Sequence, residues 1–355
     1  MDITVHVSTK GRYFTTLPLF LVSVANQTLR PKKVIIYDDN TPPTDLRQHP
    51  LYQYIFGLLD SKGIAWTVGF GEGKGQLLNH QRALKEAETE FLYRGDDDTV
   101  LSPNVLEVLA SHMMPKVGAI APLVLHPNQP VHNLPSHFSH NKIEFCEDPS
   151  QLNIQWFRHP DGIVKNVDHL YSTFLYRKSA STHGYNMNLS PVAHREESLF
   201  TYEMKVNGWD LLVVPQAEVN HFRYNEGGIR SSNIHTKENF DHDAQIFLDK
   251  LKEWGVVLKS KKLIVLDNGL GDHLVFKKIL PDMLAKYKDL VIANCYNNVF
   301  EGDKVELISI HEAKLIGNIE QYNIYKFLWD NTDKHWSLEE AYRELYGVTG
   351  VKNAS

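Results

Sequence analysis

Asp96, Asp97 and Asp98 stand in a row shortly after the short apolar stretch Phe91-Leu92-Tyr93 and shortly before Ser102-Pro103, where the next amphipathic helix begins. Three adjacent carboxylates at a strand end repel one another, so the chain must fold to bring a cation to them or leave them in water. Hard oxygen ligands select Mg²⁺ or Mn²⁺, and such an ion commonly serves phosphate oxygens. A solvated acidic turn in which an aspartate caps a helix is the plain alternative. Context favours the metal. Ile3 to Val7 reads as a strand, Ser8-Thr9-Lys10-Gly11-Arg12 as the loop that ends it, Leu17 to Asn26 as a helix, and Lys33 to Tyr37 as a second buried strand that also ends in acids, Asp38-Asp39. Strands alternating with helices predict an α/β sheet whose ligands gather at the carboxyl edge of the strands. Two acid clusters would meet there.

Several landmarks follow in order. The opening segment from Ile3 to Asn40 is followed by the aspartate triplet. Next come His194-Arg195-Glu196-Glu197 at the head of a helix, Gly208-Trp209, a strand Leu211 to Pro215, and His221. Together they resemble the inverting family 2 glycosyltransferases, with a DxD motif at Asp96 to Asp98 and an ED-like pair at Glu196-Glu197. The resemblance implies a GT-A fold, a mixed sheet flanked by helices. It implies an enzyme that moves a sugar from a nucleotide diphosphate donor, expected to be UDP-linked, to a hydroxyl of a glycan acceptor with Mn²⁺ or Mg²⁺.

The resemblance also assigns residues. Ser8, Thr9 and Arg12 lie in the first loop beside the nucleotide, and Asp39 would accept a hydrogen bond from a ring N–H of the base. Asp98 is the expected metal ligand, Asp96 a second ligand or ribose contact, and Asp97 a donor contact, with the register open by one residue. Glu197 is the expected catalytic base, although the family more often has Asp there and the longer side chain would shift the carboxylate. Both glutamates also suit the positive end of a helix dipole, which is the structural alternative. His221 would be a further metal ligand or a polar strand-end residue. Arg230, in the loop Gly227-Gly228-Ile229-Arg230, would reach the diphosphate. Lys74 and Arg82, around the helix that follows Gly71-Glu72-Gly73-Lys74-Gly75, are donor contacts of lower rank, with Asn79. That loop lacks the Gly-Lys-Ser/Thr ending of a phosphate-binding P-loop.

The middle stretch, Leu125 to Asp168, would choose the acceptor. Its His126, His132, His137 and His140 match no closed zinc spacing. Trp156, Phe157, His159 and Tyr171 offer faces for sugar rings or core packing, and Asp168-His169 could line the acceptor cleft. Beyond a helix from Phe240 to Trp254 and a basic run at Lys259 to Lys262, a second α/β unit begins, with strands at Leu263 to Leu266, Leu290 to Ala293 and Val305 to Ser309. Its Gly269-Leu270-Gly271-Asp272 turn resembles the opening of heptosyltransferase-like GT-B enzymes, of which only the first half would fit. The expected domains are 1–235 (GT-A), 236–260 (helical linker) and 261–350 (a small Rossmann-like accessory unit that could pair subunits).

The 42% hydrophobic content suits globular domains, and a net charge of −6 argues against a broad nucleic-acid surface. The first strand begins beside Met1 and no apolar run reaches about 18 residues, so neither a leader nor a membrane span is expected. Two cysteines, Cys146 and Cys295, suggest a reducing compartment, and the cytosol is the expected location. A pyrophosphate-forming nucleotidyltransferase and a non-catalytic nucleotide-sugar-binding module are the alternative readings.

Overall fold

The computed structural model describes residues 1–127, 162–228, 233–234, 236–256, 261–287, 289–310, 313 and 324–348. These fall into two compact units, one up to Val256 and one from 261 onward. The first unit opens with strand β1 (Ile3–Thr9), helix α1 (Leu17–Ala25), β2 (Lys33–Asp38), α2 (Pro50–Ser61), β3 (Ala65–Phe70), α3 (Gln76–Glu86) and β4 (Phe91–Asp96). Strands β3, β2, β1 and β4 lie side by side and parallel. β1 and β2 are buried on both faces, as helix-covered parallel strands require, with Thr4 and His6 of β1 buried among the apolar residues, whereas β3 at the sheet edge alternates with solvent.

Beyond β4 the sheet turns mixed. In chain order follow β5 (Thr99–Leu101), α4 (Val105–His112), β6 (Val117–Leu125), β7 (Lys165–Asn166), β8 (Phe174–Arg177), α5 (Glu196–Val206) and β9 (Asp210–His221). Among the described residues the strand order is β3-β2-β1-β4-β8-β6-β9-β5, with β7 on β9. β8 runs antiparallel to β4, and β5 antiparallel to β9. The apolar pattern Leu170 to Tyr176 would suit a longer strand than β8. β8 begins at Phe174, because Ser172 has positive φ and breaks the extended run. β9 is longer than expected and runs through Pro215 to His221, with a register shift at Pro122/Leu123 on its neighbour β6.

A core of Ile3, Val5, Phe20, Leu21, Val34, Ile36, Tyr93 and Leu175 holds the sheet to α1 and α2. At Gly95 a Cβ would lie 2.4 Å from the Phe20 ring, so only glycine lets β4 deliver its aspartates over α1. Helix α6 (Lys237–Glu253) closes this unit.

The second unit has three parallel strands in the order β10 (Lys261–Leu266), β11 (Asp289–Asn294), β12 (Glu306–Ser309). Helices α7 (Leu270–Lys286), α8 (Ile324–Asp330) and α9 (Leu338–Tyr346) accompany them. Ile264, Phe276, Met283, Ile292, Tyr342 and Tyr346 form its core. A capping box of Ser337 and Glu340 starts α9 and Gly347 at φ 58° ends it.

Candidate active site

The carboxyl ends of β1, β2 and β4, the head of α5 and the end of β9 surround one cavity of about 260 Å³. The aspartate triplet divides across its wall. Asp97 points into the protein, where Thr9 Oγ1 donates to it at 2.8 Å and Arg12 Nη1 at 2.6 Å. Burial pushes its carboxyl up to about 6, with Arg12 pulling the other way. Arg12 in turn donates to the backbone oxygens of Tyr224 and Glu226, tying the loop after β9 to the first loop. Gly227, at φ 71°, leaves no room for a Cβ against Arg12 and Gly11.

Asp96, which ends β4, and Asp98, in the turn to β5, converge with His221, so that one ligand atom from each lies within 4.8 Å of the others. His221 Nε2 is 3.1 Å from Asp98 Oδ1, while Asp98 Oδ2 accepts the Tyr224 N–H at 3.0 Å. Ser172 Oγ donates to Asp96 Oδ2 at 2.6 Å. The His221 ring is buried and its Nδ1 has no hydrogen-bond partner among the described residues. Two carboxylates and an imidazole at this spacing suit a hard divalent cation.

At the tip of β2 the two acids also part company. Asp38 accepts from Tyr13 Oη at 2.7 Å, from the Asn40 N–H at 3.2 Å and from the Thr44 N–H. Asp39 lines the cavity, accepting from the Gly75 N–H at 2.9 Å and from Asn79 Nδ2 at 3.2 Å. Burial raises its pKa, those two donors opposing. Gly75 reaches it at φ 96°, with Pro191 O only 2.8 Å from where a Cβ would be. Lys10 lines the same wall and supplies positive charge beside Asp39.

Helix α5 presents Glu196 and Glu197 in its first turn. Glu196 is buried and pairs with the fully buried Arg94, whose guanidinium also donates to Ser172 O and lies 3.6 Å from Asp96 Oδ1. Glu197 faces the cavity. Burial raises the pKa of both glutamates, and Arg94 pulls them back. The loop before α5 is fixed from α6: buried Asp243 accepts from Ser190 N–H at 2.6 Å, Ser190 Oγ at 2.8 Å and His194 N–H at 2.7 Å. Phe240 of the same helix lines the cavity and packs on His194 with ring centroids 4.8 Å apart.

The cavity therefore gathers Ser8, Thr9, Arg12, Asp39, Asp96, Asp97, Asp98, Glu197 and His221. It does not gather Lys74, which is exposed and paired with Glu72 at 2.6 Å, nor Arg82, which donates to Phe70 O at 2.7 Å and lies over the Tyr37 ring. Thr9 and Arg12 reach the wall but are engaged by Asp97. His169 is buried against Ser198 and not at the cavity, whereas Tyr171 lines it. Arg230, His132, His137, His140, Trp156, Phe157 and His159 lie outside the described residues. Sequence reasoning missed Arg94, Ser172 and Asp243. Of these only Arg94 left a signal, a charge inside an apolar strand.

This mixed sheet flanked by helices, with the acids of β2 and β4 at one edge, is the GT-A fold. Residues 4–178 match the model of glycosyl transferase family 2. The crystal structure of GalNAc-T7 with UDP, GalNAc and Mn²⁺ is similar in fold, with a TM-score of 0.54 at 14% identity over 72% of this chain and 50% of that one. S. aureus TarS 1-349 in complex with UDP-GlcNAc gives a TM-score of 0.48 at 16% identity, over 97% of this chain and 92% of that one. The chain thus spans half the length of GalNAc-T7. No curated protein matches it, and no helix among the described residues is long and apolar enough to cross a membrane.

Proposed function

We propose that the chain is a divalent-metal-dependent, inverting glycosyltransferase that moves a sugar from a UDP-linked donor to a hydroxyl of a glycan acceptor. The observation that carries this reading is the convergence of Asp39, the Asp96/Asp98/His221 group and Glu197 on one cavity. Each supplies a different need of the reaction. Asp39 keeps lone pairs beyond those used by Gly75 and Asn79 and would accept the ring N–H of the base. Asp96, Asp98 and His221 would hold Mn²⁺ or Mg²⁺, which when bound stabilises negative charge on the departing diphosphate. The GalNAc-T7 structure, which contains UDP and Mn²⁺, supports that pairing of donor and metal. Lys10 adds positive charge on the same wall.

Glu197 would take the proton of the acceptor hydroxyl as its oxygen bonds to the anomeric carbon. The bond from that carbon to the diphosphate oxygen breaks on the opposite face, so configuration inverts. A carboxylate whose pKa is raised by burial holds a proton better than an exposed one, which suits a base. Arg94 positions it indirectly by holding Glu196, its neighbour, and by standing beside Asp96.

The test is release of the free nucleotide, a nucleoside diphosphate from UDP-, GDP- and dTDP-sugars and CMP from CMP-sugars, with Mn²⁺, Mg²⁺ or EDTA. Metal-dependent hydrolysis of one donor, abolished in Asp98→Ala and Glu197→Gln, is the expected result. Absence of both hydrolysis and metal-dependent donor binding would overturn the proposal.

A further inference from the structure

The second unit has its own carboxyl edge, where β10 turns into α7 through Asp267-Asn268-Gly269. Asn294, the last residue of β11, follows Leu290 and Ile292 on the strand face that packs with Phe276 of α7. Its side chain is 4% exposed; Oδ1 accepts the Tyr296 N–H at 3.0 Å, and Nδ2 has no acceptor among the described residues. His273, in the first turn of α7, ties the two elements together, with Nδ1 3.0 Å from Gly269 O and Nε2 accepting the Cys295 N–H at 3.3 Å. Buried Asp272 accepts from Tyr325 Oη at 2.7 Å and so brings α8 to the same place.

Around these polar groups lie apolar side chains that the unit does not cover. Trp329 is 79% exposed, Tyr325 51%, Leu274 50%, Leu270 45% and Tyr296 38%. Tyr296 stands edge-on to His273 at 4.9 Å, and Trp329 follows Tyr325 by one helical turn. The arrangement is an aromatic and aliphatic rim around an orphaned buried amide, the Asp267 and Asp272 carboxylates and the first N–H groups of α7, of which that of Asp272 donates to Gly269 O at 3.1 Å.

A buried amide without a partner costs free energy that a ligand acceptor would recover. A purely apolar partner would leave it unpaired, and the two carboxylates repel a phosphate. Sugar hydroxyls satisfy all of these groups at once, donating to carboxylates and accepting from N–H, while the C–H faces of a pyranose stack on aromatic rings. Ligands of parallel sheets collect at this edge in any case. We propose that the second unit carries a saccharide-binding site here, for a neutral oligosaccharide. As the place where a glycan acceptor is held, it rests on the transferase reading of the first unit; as a binding site, it does not.

The experiment uses the full chain and immobilised neutral oligosaccharides of glucose, galactose and N-acetylglucosamine, with UDP and inorganic phosphate as competing arms. At least one oligosaccharide should bind wild type and Glu197→Gln alike. Trp329→Ala and Asn294→Ala should weaken that binding about tenfold or more, and Trp329→Ala should leave nucleoside diphosphate release unchanged. Trp329 is exposed, so its variant keeps the test valid if Asn294→Ala misfolds. No oligosaccharide binding, binding indifferent to Trp329→Ala, or protection of Tyr325 and Trp329 by UDP or phosphate alone would overturn the site. So would a change of oligomeric state in Trp329→Ala with binding intact. Saccharide binding without donor hydrolysis would count against the transferase and leave this site standing.

Discussion

The tips of β2 and β4 both end in adjacent acids, yet the two pairs of roles are arranged in mirror order. At β2 the first acid, Asp38, is consumed by Tyr13, Asn40 and Thr44, and the second, Asp39, faces the cavity. At β4 the middle acid, Asp97, is held by Thr9 and Arg12, and its neighbours Asp96 and Asp98 converge on His221. Asp38 and Asp96 end their strands while Asp39, Asp97 and Asp98 lie just beyond, where the chain turns, so that each tip pins its own loop with one carboxylate and offers another to a ligand. Adjacent acids of the same type thus differ by partner, and substitution should separate them.

The largest effect is expected at Glu197. Glu197→Gln should lower kcat by about 10²–10⁴-fold with little change in donor KM, read by single-turnover transfer. Asp98→Ala should cost about 10²–10³-fold through lost metal binding and should no longer respond to added Mn²⁺. Asp97→Asn inverts the pattern: it weakens the buried pair with Arg12, whose Nη1 keeps Asp98 Oδ2 at 3.2 Å, and should cost about 1–3 kcal/mol of stability in denaturant unfolding. Metal affinity should hold wherever the fold does. If Asp97→Asn instead leaves stability intact and abolishes metal binding, the division of the triplet is wrong. Asp39→Ala should raise the donor KM by about ten- to a hundredfold, the worth of one hydrogen bond to a charged group, whereas Asp38→Asn should mainly lower the melting temperature.

The smallest effect is a pH slope away from both tips. Burial lowers the pKa of His6 and of His169 to about 3. In the unfolded chain both would protonate near the ordinary value of 6.5, so between pH 6.5 and about 3 the unfolded state binds more protons. Stability should therefore fall as pH drops below 6.5, by about 1.4 kcal/mol per pH unit for each histidine. Thermal melts from pH 7 to 5 would show it, and His169→Gln should flatten the slope. The acid limb of activity should lie above the ordinary carboxylate range, because burial raises Glu197.

Much of the fold is legible in the sequence. The strands β1, β2 and β10 to β12, the helices α1 and α3, and the resemblance to family 2 over residues 4–178 follow from apolar pattern and ordered landmarks, since strands buried on both faces are mostly apolar. The extents of β8 and β9 do not, because a positive φ at Ser172 and a shifted register beside Pro122 are set by neighbouring strands. Lys74 and Arg82 look like phosphate contacts in sequence because they are cations beside a glycine loop. Space sends one to solvent and the other to Tyr37.

The sequence by itself determined which chemistry is available: carboxylates at the ends of strands, a paired glutamate at a helix start and a late histidine. Those are local facts of residue type and spacing. Only the tertiary structure decided which carboxylate meets which partner, because Arg12, Arg94 and Asp243 find these partners 49 or more positions away in the chain. A buried charge must find its counter-charge wherever the fold delivers it, and no local pattern records that address.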